Sequence, residues 1–559
     1  MNRLISLAAV AVVAVIALLA LDSPSEPVAP ELALISAAVG NSSDFGSTWY
    51  CAAAGAGIPS PVAHEVVVAN PTDRELDVRF TTSAAGANPP VSRSGKVAAR
   101  SQLRLDPSTI VADAGSVTVE VLGGGAAVSH RLTFSEGFDD APCVTTPEPT
   151  WYFPAADTEK GSSVQLWVYN PFGTDTSFDV TIYSNDAVRE PPALSGLVVE
   201  AHGVRMVELG TSVERRDQFA FGLTARGGRV VAEMVQTSDG SERTDGTRAV
   251  RGLRIGRGIA RRATQLQFAD GLVGSGSHER YVLFNPSDTT VEVQLWVLPY
   301  GASAINLPEP IQVEVAARHF GVVDVDNETR VLPDVPHSVI VDVTDGPGIV
   351  ASRLLSIAGG GTGGADGAGV KSGLSGVEGS PVAATSWLIP DVDPPSSGRS
   401  LVSIRNTSSS GIAQVKLSGI AAGSATSLIG DTPIEVSAGG SLLVDLAVLA
   451  QQSMVFIEST QPIVVEYRTA RDASKDFSAA MALPLRSTMS AFADYQPPAD
   501  APDTTVPDST APATEPGATD PAATVPAVTE PPVTEPPATA APPGTDATGA
   551  PVTPAAPTP

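Results

Sequence analysis

The sequence predicts an all-β fold, a tandem series of about four immunoglobulin-like β-sandwich modules, on three observations. A strand motif ending in Asn recurs four times, a second strand signature follows each copy at constant internal spacing, and no 3.6-residue apolar periodicity is sustained beyond the N-terminal 22 residues.

The motif is carried by VVVANPTDRELDVRF (66–80), LWVYNPFGTDTSFDVTIY (166–183), YVLFNPSDTTVEVQLWV (281–297) and LVSIRNTSSSGIAQVKL (401–417). Aligned on Asn70, Asn170, Asn285 and Asn406, each copy has apolar residues two and four positions earlier, the period of a strand with one buried face. Pro follows the Asn in three copies and ends the strand, because its ring fixes φ and leaves no N–H for a ladder. An antiparallel strand then begins six residues past the Asn with Leu76, Val78 and Phe80 and their counterparts. The fourth copy lacks the Pro, and its apolar set, Ala413, Val415 and Leu417, is displaced by one residue. A one-residue slip reverses every side chain, so the loop Thr407 to Gly411 is expected to absorb it.

The second signature is Val-x-Ala followed six residues later by an apolar residue and an acid. It ends at Asp106, Glu208, Asp324 and Asp445, where the repetition implies a structural role, capping a turn or pairing with Arg131 or Arg353. Those two arginines each stand 12 residues after the first Val of VEVLGGGAAVSHRL and VDVTDGPGIVASRL. With a leading strand at each WYC, WYF, LQF or WLI, every copy supplies about seven short strands, and strands with one apolar face need an opposing sheet. Strand order is not readable.

The resulting division is a signal anchor or signal peptide at 1–22, a linker at 23–44, and modules at 45–145, 150–250, 262–357 and 384–488. A Gly-rich flexible linker occupies 358–383, and a disordered Pro/Ala/Thr-rich acidic tail occupies 489–559. The run from Leu4 to Leu21 is uncharged and, as a helix, about 27 Å long at 1.5 Å per residue, near the thickness of a bilayer core. Arg3 before it and Asp22, Glu26 and Glu31 after it place the body outside the cell membrane, single-pass, or secreted if the segment is cleaved. In an oxidising compartment Cys51 and Cys143 are expected to bridge, with two buried free thiols as the alternative, and closing a loop of this length contributes about 4.5 kcal/mol in the chain-entropy model.

A formal charge of −27 over 559 residues disfavours nucleic acid as a partner. The six His are scattered, no cofactor motif appears, and DVDNETR at 324–330 has the acid spacing of a calcium loop without its Gly and closing Glu. His64 and His278 read as strand-surface residues. One cluster runs against the charge: Arg243, Arg248, Arg251, Arg254, Arg257, Arg261 and Arg262, an edge strand guarded by charge or a docking patch for an anionic polymer or acidic partner.

The WYC at 49–51, WYFPAADT at 151–158, the strand-Asn-Pro elements and PIVVEYR at 462–468 resemble an actinobacterial family of secreted or membrane-anchored proteins of unknown function, over roughly 45–485. The resemblance implies β-sandwich repeats and no catalytic residues. The expected function is therefore non-enzymatic: binding or scaffolding at the cell envelope, with a cell-wall polymer or envelope protein as partner, or alternatively service as an accessory subunit of an envelope polysaccharide enzyme. The sequence leaves oligomeric state open.

Overall fold

Alternating apolar residues produce strands nearly everywhere the repeat runs. A computed structural model describes residues 35–492, except 54–62, 85–88, 242–249, 275, 302–307, 358–371, 431 and 472–475. Module 1 supplies β1 (Gly46–Cys51), β2 (Ala63–Asn70), β3 (Leu76–Ala84), β4 (Val91–Val97), β5 (Ser101–Leu105), β6 (Ala114–Leu122), β7 (Ala127–Thr133) and β8 (Phe138–Pro142). They form two antiparallel sheets, ordered β1-β6-β3-β4 and β5-β2-β7-β8. Module 3 repeats this order, and module 2 repeats it with one extra short edge strand. In module 4 a single 19-residue strand, Ser453–Arg471, replaces both β6 and β7 and joins the two sheets. The modules are thus two-layer sandwiches of immunoglobulin size. Their first two strands lie in opposite sheets, whereas immunoglobulin order places them in one.

The repeated Asn is a plug. Asn285 Nδ2 donates to Thr289 O (2.7 Å), Val315 O (3.1 Å) and Ala316 O (3.0 Å), while its Oδ1 accepts the Ser287 N–H (3.0 Å). Asn70, Asn170 and Asn406 make the same set, so one buried amide satisfies the carbonyls of two turns in every module. In the fourth copy the first acceptor is Gly411, five residues on rather than four, so the loop absorbs the extra residue as expected. The bridge Cys51–Cys143 is formed, with Cα atoms 4.8 Å apart, and ties β1 to the residue after β8.

The modules are not beads on a string. The β1 sheet of each packs on the β2 sheet of the next, and the fourth returns to the first. Thr118 Oγ1 meets Tyr169 OH (2.9 Å) at the first seam, and Phe284 meets the rings of Tyr152 and Tyr183 edge to face at the second. Ser403 donates to Asp270 (2.9 Å) at the third, and Gln102 donates to Pro390 O (2.6 Å) at the fourth. At the centre, β8 and its counterparts Arg251–Arg257, Gly373–Glu378 and Asp476–Met481 face one another in a closed circuit. No ladder joins them; side chains do. Asp139 accepts Ile255 N (2.6 Å), Ser372 Oγ accepts Arg251 N (2.7 Å), Ser375 Oγ accepts Ala479 N (2.9 Å) and Asp476 accepts Phe138 N (3.0 Å).

Several expected boundaries shift for this reason. The eighth strands of modules 2 and 3 lie beyond 250 and 357, the second inside the stretch 358–383 that reads as a linker. Gly373 there provides close approach: a Cβ on it would fall 2.5 Å from the Phe477 ring, and one on Gly252 in the facing strand would fall 2.5 Å from Leu374 N, while residues 358–371 of the expected linker lie outside the described residues. Residues 489–491 pair with Val382–Ala384 instead of opening the tail. Within 23–44, Ala37–Val39 are buried, with Val39 paired between Pro484 and Arg486. The expected membrane segment at 1–22 and the tail from 493 lie outside the described residues; among those described, no helix is long and apolar enough to cross a membrane.

Replacing Asn285 with Ala should lower unfolding stability by about 2–4 kcal/mol, the cost of several buried carbonyls left without donors. Asn285→Asp should do no better, since a carboxylate cannot donate; urea unfolding of both variants checks this. Burial pushes the Asp476 carboxyl up to about 7 from its usual 3.8. Between those values the folded body keeps a proton that the unfolded chain has lost, so stability falls as pH rises through about 4 to 7 and levels above. Asp476→Asn should remove up to about 1.4 kcal/mol per pH unit from that slope, measured by urea unfolding at several pH values.

Candidate binding site

Three sets of polar residues need placing: the arginine cluster, the signature acids and arginines, and the loop tips.

Of the described arginines of the cluster, Arg254 and Arg257 turn inward. Arg254 is 3% exposed, donates to Gln236 Oε1 (2.7 Å) and Ala155 O (2.5 Å), and burial lowers it to about 10. Arg257 pairs with Glu378 (3.4 Å) and Arg261 with Glu148 (3.2 Å). Arg251 donates to Ser135 O (2.5 Å) from an exposed position, and Arg262 is partly buried. Arg243 and Arg248 lie outside the described residues. The edge-strand expectation fits, but the edge is covered by neighbouring modules, so the described members do not assemble an outward docking patch.

The signature acids cap turns in three modules. Asp106 accepts Ser108 N (2.9 Å), Glu208 accepts Gly210 N (3.4 Å) and Asp445 accepts Ala447 N (3.0 Å). Asp324 makes no such cap. Their expected pairing with Arg131 or Arg353 is not found, and these arginines are not equivalent. The β6 counterpart of module 3, His337–Asp345, carries one extra residue in a β-bulge opposite Glu292 and Val293, so Arg131 pairs across its ladder with Glu65 on the outer face while Arg353 pairs with Tyr281 on the inner. Arg131 salt-bridges Asp140 (2.5 Å) and Asp393 (3.3 Å). Arg353 crosses a seam to Glu466 (2.8 Å).

The true seam column is Glu233 and Glu466, both fully buried and both opposite the same β2 position. Glu233 accepts Ala53 N (2.7 Å) and faces His130 (3.5 Å); Glu466 accepts Ala269 N (2.6 Å) and faces Arg353. Burial raises Glu466 to about 7 despite that guanidinium. His64, expected on the surface, is 6% exposed, 3.3 Å from His130, and burial lowers its pKa. These groups hold modules together and are closed to a ligand.

The tips, where the Asn turn meets the turn after β6, are where the modules part company. In module 1 a Cβ on Gly124 would fall 1.7 Å from Asn41 O, because residues 41–44 cover the tip. In module 3 a Cβ on Gly346 would fall 2.9 Å from the Val291 side chain, and in module 4 one on Gly411 would fall 2.7 Å from that of Gln461. In module 2 a Cβ on Gly227 would meet nothing within 4 Å. The result is a cleft of about 490 Å³ lined by Phe172, Thr174, Asp175, Thr176, Arg226 and Arg229 among others.

Its chemistry departs from the repeat at Phe172. Counterparts Thr72 and Ser287 donate hydroxyls to their Asn Oδ1 (2.6 and 2.5 Å); Phe172 cannot, and keeps only the backbone N–H bond (3.1 Å). The Arg229 guanidinium sits 5.7 Å from the ring centroid, a cation–π arrangement. Arg226 is held by a two-pronged bond to Asp179 (2.7 and 2.8 Å), which brings that carboxyl down to about 2. The cleft therefore offers an aromatic face, one neutralised and one ring-stacked guanidinium, and hydroxyl and carbonyl groups around them. No sequence motif announces it; the signal was a residue that breaks a column of the repeat.

Residues 133–250 match the model of a family of unknown function, DUF5719. The window runs from the end of β7 to just before Arg251–Arg257 and so contains the whole module 2 cleft. No curated protein matches. Among solved structures, Thermotoga maritima 1070 is 17% identical over 21% of this chain and 93% of its own, with a TM-score of 0.17. The Streptomyces avermitilis α-L-rhamnosidase complexed with L-rhamnose is 11% identical over 63% and 46%, with a TM-score of 0.11. The native conformation of E. coli α-2-macroglobulin is 8% identical over 76% and 28%, with a TM-score of 0.10. What this chain shares with the named family is one stretch, residues 133–250, and that family's function is itself unknown.

Proposed function

We propose that the chain is a non-enzymatic cell-envelope protein whose four modules form a rigid platform and whose module 2 cleft binds an envelope glycan. The observation that carries this reading is the open tip of module 2: residues 41–44 cover the corresponding tip of module 1, an added Cβ would be crowded at Gly346 and Gly411 in modules 3 and 4, and module 2 keeps a cleft lined by Phe172. A hydroxyl-rich, weakly charged polymer suits that lining, since sugar rings present C–H faces to an aromatic ring and hydroxyls to Thr, Asp and Arg. A strongly anionic polymer suits it less, because Asp179 already satisfies Arg226 and Asp175 contributes its own negative charge.

Export is part of the proposal. The disulfide fits an oxidising compartment, and the apolar run at 4–21 fits an anchor or signal. Phe172→Ala and Arg229→Gln should each weaken retention on purified wall glycan by about tenfold or more, as expected when a central aromatic or Arg contact is lost. Both residues sit at a partly open tip, so the melting temperature should hold. Equal retention of the wild type and both variants, or none by the wild type, would sink the glycan assignment.

A further inference from the structure

Module 3 departs from the repeat at a second place, on the flank where the start of its β2 counterpart, Ser277–Asn285, meets the signature acid. The residue seven positions before the Asn faces that acid. In module 2 Ser163 donates to Glu208 (3.0 Å), and in module 4 Arg399 pairs with Asp445 (3.0 Å), so each acid meets a polar side chain there besides its cap. Module 3 places His278 there, and its Nε2 lies 3.4 Å from Asp324. It also places a second carboxylate, Asp326, where the other modules have Ser108, Gly210 and Ala447. Asp326 bonds the imidazole Nδ1 through Oδ2 and accepts Glu279 N through Oδ1 (3.2 Å), which fixes its orientation.

Two independent features set this cluster apart from an ordinary surface ion pair. Asp324 has given up the cap its counterparts make, and among the described residues its Oδ1 is buried without a hydrogen-bond partner. The arrangement also carries two carboxylates around one imidazole, where module 4 balances one carboxylate with one permanent cation. Arg280 is within electrostatic reach of Asp324 and offsets part of that charge.

We propose that His278, Asp324 and Asp326 form a divalent-cation site. One ligand atom from each lies within 4.8 Å of the others, so side-chain rotations alone bring them onto a common ion at the usual distances of about 2.0–2.2 Å. One imidazole and two carboxylates suit borderline Zn²⁺ or the harder Mn²⁺; Ca²⁺ takes six or more oxygens, and no thiolate is present for a soft ion. The side chains are 38%, 31% and 21% exposed, so the ion keeps water or an outside ligand in its remaining positions. Binding requires the neutral imidazole and releases the proton of any imidazolium.

The test is equilibrium dialysis of the full chain, without a histidine tag, against Zn²⁺ and separately Mn²⁺, with the visible absorption of a Co²⁺ form as a readout of nitrogen and oxygen ligation. The wild type should bind one equivalent. His278→Arg recreates the Arg–Asp pair of module 4, so the fold should be retained while affinity falls at least tenfold, and Asp326→Asn should also cost about tenfold. Failure of the wild type to bind, or undiminished binding by folded His278→Arg, would overturn the assignment.

Discussion

Everything in the described body turns on four edge strands that cover one another. An edge strand presents unpaired N–H and C=O groups, and proteins usually blunt it with charge or a bulge. Here β8 and its three counterparts meet around one centre, and side-chain oxygens of Asp139, Ser372, Ser375 and Asp476 accept N–H groups from neighbouring modules. That solution demands close approach, hence Gly252 and Gly373, and it takes Asp139 and Asp476 out of water. It also makes the association heterologous and closed: each module offers one sheet and receives another, and the fourth step returns to the first, which ends growth.

The seams are of three kinds, one of which alternates with the other two. At the seams into modules 2 and 4, a buried glutamate captures a backbone N–H beyond the neighbour's first strand and meets a basic residue of that neighbour, His130 or Arg353. At the seam into module 3 the contact is aromatic, with Phe284 against Tyr152 and Tyr183. At the seam into module 1 it is Arg104 and Arg131 against Asp391 and Asp393. Buried ion pairs of this sort add little net stability, because desolvation offsets attraction, but a mismatched partner leaves a bare charge. The alternation therefore fixes which module follows which, so the four copies are not interchangeable although they share one scaffold.

How far the sequence discloses this follows from the range of each interaction. The Asn plug, the strand parity, the absorbed residue in the fourth loop and the capping acids are local or recur in register, so all were legible. The eighth strands were not. Arg251–Arg257 and Gly373–Glu378 are shaped by contacts across modules, and their residues look like a charged connector and a glycine linker because the partners that explain them are over 100 positions away. Arg131 and Arg353 misled for a different reason: equal spacing in sequence spans a β-bulge in module 3 that module 1 lacks there, and one residue of difference reverses the face. His64 looked exposed because a period of two specifies faces, not what lies over them.

Both candidate sites came from the same kind of signal, and that follows from how a repeat constrains its residues. A column that serves the scaffold must do the same work in each copy, as the Asn does four times. A residue that abandons the shared task removes a hydrogen bond that other copies keep. Phe172 forgoes the hydroxyl bond that Thr72 and Ser287 make to their Asn, and Asp324 forgoes the side-chain cap of the other three acids. Each loss is local to its turn, and each residue meets a different partner instead, Arg229 over the Phe172 ring and His278 beside Asp324. The departures also fall where the chain remains accessible, at an open tip and a half-exposed flank, while the equally unrepeated seam residues are sealed. Departure from the pattern together with access to solvent thus distinguishes Phe172 and Asp324 from the seam residues, which are sealed between modules and can meet only the chain itself.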